Sequence, residues 1–201
     1  MEKDIIKISI IIPVYNTPVK YLQECLESIR KANINCKYEV LIINDGSTDT
    51  EVISFLKKYS EESTTILHKQ NTGVSATRNL GLDKTQGQFV LFLDSDDVLL
   101  PEINKVLKFL DNNVVYDVIY CDVPFFGDRE YIVKKKSYSK FQNIYIRMLP
   151  SITSLIRKKS IGDLRFREEM DYGEDWDFWA RLSSKGLSFF IIKLLFLDID
   201  E

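Results

Sequence analysis

Residues 8–14 read ISIIIPV, an apolar run too continuous for a strand with one wet face. Such a strand is buried on both sides, which calls for a mostly parallel sheet covered by helices front and back. The following segments keep to that rule. VKYLQECLESIRKA places Leu22, Cys25, Leu26 and Ile29 at helical spacing, and YEVLII (38–43) is a second strand ending in the turn composition NDGSTD. Residues 50–59 read as a helix with Val52, Phe55, Leu56 and Tyr59 on one side. TTILHK is a third strand, GVSATRNLGL a helix and QFVLFLD a fourth strand. Pro101 sits where a first helical turn tolerates it, ahead of Ile103, Val106, Leu107 and Leu110, and YDVIYCDV closes this part as a further strand. Repeated β-α-β units of this kind predict an α/β fold.

After Val123 the rhythm fails. A weak strand around YIVKK, a lysine run at 134–136 and a short helix near FQNIYIRML come first. ITSLIRK then reads as a strand, and GEDWDFWARLSSKG as a helix ended by Gly186. The expected organisation is one domain in two portions: residues 1–123, a sheet shaped to hold a ligand, and residues 124–201, a smaller mixed portion that covers it.

Composition narrows the partners. The chain has 201 residues, 45% of them hydrophobic, which suits one sizeable core. With 27 Lys and Arg against 30 Asp and Glu the net charge is −3, so no broad face neutralises nucleic-acid phosphates. Cys25, Cys36 and Cys121 form no CxxC pair and are odd in number, which reads as reduced thiols in a cytoplasmic protein. No run is long enough to span a bilayer, and the start MEKDIIKISIIIPVYN makes a poor signal peptide. The tail LSFFIIKLLFLDIDE, interrupted by Lys193, reads as core strand, with peripheral membrane contact as the alternative.

In open α/β sheets ligands sit beyond the carboxyl ends of the strands. Three polar groups fall there: PVYN (13–16), NDGSTD (44–49) and DSDD (94–97). Taken singly, NDGSTD also reads as a helix-capping turn, and DSDD, less readily, as a helix start whose dipole favours carboxylates. Together on one rim they predict a site. Three closely spaced aspartates repel one another and call for a positive charge; their hard oxygens suit Mg²⁺ or Mn²⁺, an ion that keeps positions open for substrate phosphates. His68, the single histidine, falls in a strand and reads as ordinary packing. No GxGxxG follows the first strand, which disfavours a dinucleotide cofactor.

IIPVYN, VLIINDGSTD, NTGVSATRNLGLDKTQGQFVLFLDSDD and GEDWDFWARL resemble, in order and across residues 8–182, the successive motifs of the family 2 glycosyltransferases, which have the GT-A fold. The resemblance implies a nucleotide-diphosphate sugar donor, a UDP-sugar being favoured, a divalent metal, and inverting transfer to a saccharide or lipid-linked saccharide. Such an enzyme builds cell-surface polysaccharide or glycolipid, in the cytoplasm or at the inner face of the membrane. It implies that Pro13, Val14, Tyr15 and Asp45 line the nucleoside pocket, with Asn16 and Ser95 beside them, and that Asp45 accepts a hydrogen bond from the base. Arg78 is implied near the base or diphosphate, Asp94 near the ribose or metal, and Asp96 on the metal. Glu174 and Asp175 correspond to the family's acidic pair, with Asp175 the expected base for the acceptor hydroxyl. Trp176 is expected in the core or under a sugar, and Asp97 in the turn.

The chain ends soon after the GEDWDFW helix, where many relatives continue, and it lacks the later metal-ligating histidine that some carry; either two aspartates, diphosphate and water suffice for the metal, or the native protein is longer than this chain. A non-catalytic nucleotide-sugar binder is the main alternative. A haloacid-dehalogenase-type phosphatase would use DSDDV as its DxDx[TV] motif, but GDLRFR fails the later GDxxxD at Arg167. A sugar nucleotidyltransferase would want a glycine-rich loop where PVYNTP stands. The lysines at 134–136, with Arg157, Lys158, Lys159, Arg165 and Arg167, read as solvated surface or as contacts to an anionic lipid acceptor. A homodimer is left open.

Overall fold

The computed structural model describes residues 5–125 and 130–193. Strand β1 (Ile8–Val14) has parallel neighbours on both sides, β2 (Tyr38–Asp45) and β4 (Phe89–Phe92), and β3 (Thr64–Lys69) pairs with β2 in the same direction. Its unbroken apolar run is accounted for by burial: Ile8, Ile10, Ile11 and Ile12 are all 0% exposed. Ile10 and Ile12 face one hydrophobic cluster, Ile11 the other, one on each side of the sheet.

Helices α1 (Val19–Lys31), α2 (Thr50–Lys58) and α4 (Ile103–Asn112) cover the first face through Leu22, Cys25, Leu26, Ile29, Val52, Leu56, Leu107 and Leu110. Helix α3 (Val74–Lys84) lies on the second face, so close to the sheet that a Cβ on Gly81 would stand 2.5 Å from Ile11 Cγ2. Beside it packs α7 (Glu174–Ser184), burying Phe178, Trp179 and Leu182. Phe166 stacks on Phe178 with ring centroids 4.1 Å apart and meets Phe92 of β4 edge-on at 5.2 Å. The GT-A type of α/β fold expected from the motifs is therefore present, with a mainly parallel central sheet between helical layers.

The later residues do more than cover that sheet. Strand β5 (Val118–Cys121) does not pair with β4; β8 (Leu155–Arg157) enters between them, antiparallel to both, and β9 (Phe189–Ile192) adds on beyond β5 in parallel. The seven-stranded order is β3-β2-β1-β4-β8-β5-β9. The expected ITSLIRK strand is shorter than its apolar content suggests: residues 152–153 form a turn before it, and Lys158 already starts a one-turn helix α6 (Lys158–Ile161). A small hairpin of β6 (Val123–Phe125) and β7 (Tyr131–Val133) stands apart, followed by α5 (Lys140–Tyr145). Asn143 of α5, 0% exposed, pins that helix to α7: its Nδ2 donates to Ser183 Oγ at 2.7 Å and its Oδ1 accepts from Leu149 N at 3.0 Å. The tail strand is β9 as far as Ile192; what was read beyond Lys193 lies outside the described residues.

Candidate functional site

The carboxyl ends of β1, β2 and β4 meet at one rim, and each loop there is held by its own polar residues. Asn16 adopts φ 50°, a left-handed conformation that asparagine tolerates. Its Oδ1 accepts from Thr48 N at 2.8 Å and Asp49 N at 2.9 Å, while its backbone N–H donates to Ser47 Oγ at 3.0 Å. Asn16 thus clasps the loop after β1 to the loop after β2. Asp49 in turn caps α2, accepting from Glu51 N at 2.8 Å. Gly46 carries φ +69°, and a Cβ there would stand 2.6 Å from Asn71 N, so the loops after β2 and β3 touch through the missing side chain.

Asp45 is the buried post of this rim, 4% exposed. Its carboxylate accepts from Thr72 N at 3.0 Å, from Gly73 N at 3.0 Å and from the Lys69 ammonium. Two oxygens offer about four acceptor positions, so this leaves one on Oδ2. Gly73 opens α3, which brings the amino end of that helix to the cleft. The cleft encloses about 390 Å³ and is lined by Pro13, Val14, Tyr15, Asp45, Arg78, Asp94, Ser95 and Asp96 among others. Tyr15 is half exposed at its mouth.

Arg78 is 4% exposed, yet its guanidinium spans two elements distant in sequence. One arm donates to Asp94 Oδ1 at 2.9 Å, the other to Glu174 Oε1 at 2.8 Å, and the plane lies over the Phe166 ring at 5.6 Å. The loop after β4 is strongly negative. Asp97 opens to solvent on one side, but packing around it and the charges of Asp94 and Asp96 push its carboxyl up to about 6. Burial, followed by the charges of Asp97, Asp94 and Asp96, pushes the Cys25 thiol up to about 12. Ser95 is tied to Thr17, Oγ to Oγ1, at 2.6 Å.

Helix α7 starts on Gly173, at φ 74°, with Glu174, Asp175 and Asp177 in its first turn, where the helix dipole favours them. Burial raises the Asp175 carboxyl above the ordinary range, Glu174 adds to the rise, and the N–H of Trp176, at 2.7 Å from Oδ1, together with Arg78 opposes it. Desolvation lowers the Lys135 ammonium, and the nearby Asp175 charge opposes that shift. Trp176 is fixed by its Nε1–H, which donates to Asn143 O at 2.5 Å, while Trp179 is wholly in the core.

The expected residues are thus sorted by the structure. Pro13, Val14, Tyr15, Asp45, Arg78, Asp94, Ser95 and Asp96 share one cleft; Asn16 does not line it, and Glu174 and Asp175 approach from α7, joined through Arg78. Lys69, Thr72, Gly73 and Thr77 were not singled out by sequence reasoning, although NTGVSATRN carried three of them. His68 Nδ1 accepts a hydrogen bond from Asn44 Nδ2 at 3.1 Å. The basic residues divide. Arg157 donates to Tyr116 O and Leu110 O, each at 2.7 Å, Arg165 pairs with Asp83 at 2.7 Å and Arg167 with Asp177 at 3.5 Å. Arg157, Lys158, Lys159 and Arg165 surround a separate cleft by Gly87 and Gln88, at the opposite end of β4 from the aspartates.

A divalent cation is implied by the DSD motif, and the donor chemistry fits one. Among the described residues no group of three or more His, Cys, Asp or Glu side chains is arranged to enclose a metal. What the rim offers is Asp96, exposed and with no side-chain hydrogen bond among the described residues, and the second oxygen of Asp94. Mg²⁺ and Mn²⁺ suit such a sparse set, because they keep water and phosphate oxygens as ligands. No helix among the described residues is long and apolar enough to cross a membrane.

Comparison with known proteins bears on the fold and the family. An uncharacterized glycosyltransferase of Methanocaldococcus jannaschii is 27% identical over 96% of this chain and 70% of its own. One of Rickettsia bellii is 32% identical over 90% of this chain, which spans only 27% of that protein. Among solved structures, S. aureus TarS 1-349 superposes with a TM-score of 0.70 at 25% identity, over 93% of this chain and 58% of that one. Its complex with UDP-GlcNAc superposes at 0.72, with 23% identity, over 93% and 56%. The model of glycosyl transferase family 2 matches residues 9–165, a span containing every rim loop described above, and the chain belongs to that family.

Proposed function

We propose that the chain transfers a glycosyl group from a nucleotide-diphosphate sugar, a UDP-sugar, to a hydroxyl of a saccharide or lipid-linked acceptor, with inversion at the anomeric carbon. The observation that carries this is the convergence of three things: a nucleoside-sized cleft floored by Asp45, an aspartate loop at its end in which Arg78 pairs with Asp94 alone, and a raised carboxyl, Asp175, beside the Glu174 that Arg78 ties to that loop. Two solved TarS complexes, with UDP-GlcNAc and with UDP, support a uridine donor here.

In this reading the free acceptor position of Asp45 takes an N–H of the base, and Tyr15 closes the mouth of the cleft over it. Asp94 and Asp96 would hold Mg²⁺ or Mn²⁺, which when bound neutralises charge on the leaving diphosphate. Asp175 takes the acceptor hydroxyl proton as that oxygen bonds to the anomeric carbon from the face opposite the diphosphate. The bond from that carbon to the diphosphate oxygen breaks, and its electron pair leaves with the nucleotide. Burial suits Asp175 to this task, since a base with a pKa nearer the working pH holds the proton it removes. Glu174, occupied by Arg78, holds the helix in register. The three free cysteines agree with a reducing, cytoplasmic setting, at the inner membrane face when the acceptor is lipid-linked.

Calorimetric titration with UDP and GDP, with Mn²⁺ or with EDTA, tests the donor half. UDP binding that needs the metal and is lost in Asp96→Ala is expected. Binding of neither nucleotide overturns the reading.

A further inference from the structure

Next to the aspartate loop, on the same rim, a second cavity of about 320 Å³ opens between β4, α4 and the end of β5. Its walls include Leu93, Ile103, Val106, Leu155 and Ile192. Three carboxylates interrupt this lining: Asp97, Glu102 and Asp122. An apolar cavity of this size with few polar groups has the make-up of a small-molecule site.

Asp122 shows that a hydrogen bond is wanted there. It is 1% exposed; its Oδ1 accepts from Lys135 N at 2.6 Å and lies 3.5 Å from the Lys193 ammonium, while its Oδ2 is buried with no partner. A buried carboxylate oxygen left unpaired is costly and rare. The cavity also adjoins the aspartate loop, because Asp97 in its lining follows Asp96 directly.

We propose that this slot holds the apolar moiety of the acceptor, a neutral alkyl or aglycone group bearing a hydroxyl or amide N–H that donates to Asp122 Oδ2. The inference rests on the glycosyl-transfer reading, and it narrows the acceptor. Three carboxylates outnumber the two ammoniums near them, Lys193 and Lys135, and repel a phosphate, so the group entering the slot is uncharged.

The test is calorimetry on the 201-residue chain with n-octyl β-D-glucoside below its micelle concentration, methyl β-D-glucoside and n-octyl phosphate, with UDP and Mn²⁺ titrated in parallel. The octyl glucoside is expected to bind about 100-fold tighter than the methyl glucoside through its buried methylenes, and tighter than octyl phosphate. Val106→Phe and Val98→Phe, which fill the slot from a helix and from a loop, each weaken it at least about 10-fold and leave UDP binding unchanged. Equal binding of octyl and methyl glucosides, tighter binding of octyl phosphate, or no response in either variant overturns the proposal. A slot filled by a second copy or by another part of the chain gives a flat octyl glucoside titration and overturns it too. Octyl glucoside binding without UDP binding leaves the slot standing and removes the donor reading.

Discussion

Arg78 and Glu174 are 96 residues apart in the chain and joined at 2.8 Å, through a guanidinium whose other arm holds Asp94 at 2.9 Å. One buried cation therefore fixes the loop after β4 to the first turn of α7. The pairing also separates two adjacent carboxylates. Glu174 is committed to Arg78, while Asp175 is left with a raised affinity for protons.

Removing that cation strands two carboxylates. Arg78→Ala is expected to lower stability by about 3 kcal/mol, the lower end for breaking a buried ion pair, because Asp94 is partly hydrated. Arg78→Lys keeps the charge but loses the fork and falls between the two. Urea midpoints of the three proteins at constant slope check this.

Asp175, as the proposed base, is expected to set the acid limb of activity. Its carboxyl is raised, and the base works only when ionised, so the rate climbs with pH through a pKa above the ordinary carboxylate range of about 4. Asp175→Asn should lower kcat about 10³-fold with UDP affinity unchanged, and should erase that limb. A pH profile of kcat, run beside nucleotide titrations, reads both.

Asp96→Ala has opposite effects on the empty and the loaded protein. Without metal it removes one of three mutually repelling carboxylates, and the variant melts about 1–2 °C higher. With Mn²⁺ and UDP the wild type is expected, on the proposed metal role of Asp96, to gain binding free energy that the variant lacks, and the order to reverse. Thermal melts in EDTA and in Mn²⁺ with UDP decide it.

Gly46→Ala strains the rim from behind. It places a Cβ in a left-handed residue, 2.6 Å from Asn71 N, at a cost of at least about 1–2 kcal/mol. Because Asn71 lines the cleft, weaker UDP binding is expected together with a lower melting temperature. An alanine that changes neither would mean that the two loops do not need that contact.

The strands and helices up to β5 were legible because each obeys one period: continuous β-branched runs for strands buried twice, and spaced leucines for helices such as α1. The aspartate rim followed from the rule that parallel strands end on one side. The insertion of β8 was not legible. LIR is three residues long, and nothing local in it distinguishes a sheet interior from an edge. Asn16 resembled a cleft residue by its place after β1, yet its side chain is spent on Thr48 and Asp49, since a short amide beside two free N–H groups bonds them first. The slot at Asp122 gave no signal, because its walls come from β4, α4, β8 and β9, far apart in sequence.

The position of β8 has a consequence for how the protein is made. On a ribosome, residues 1–123 emerge with β1 to β4 able to pair at once, but β5 has no neighbour until residues 155–157 arrive to fill the gap beside β4. The sheet therefore closes late in synthesis, through contacts of long sequence separation, and until then the free edge of β4 is open to solvent. Asp94, joined through Arg78 to Glu174, reaches its final setting only when the chain that brings Glu174 and Asp175 has been made, so half a protein does not present half a catalyst.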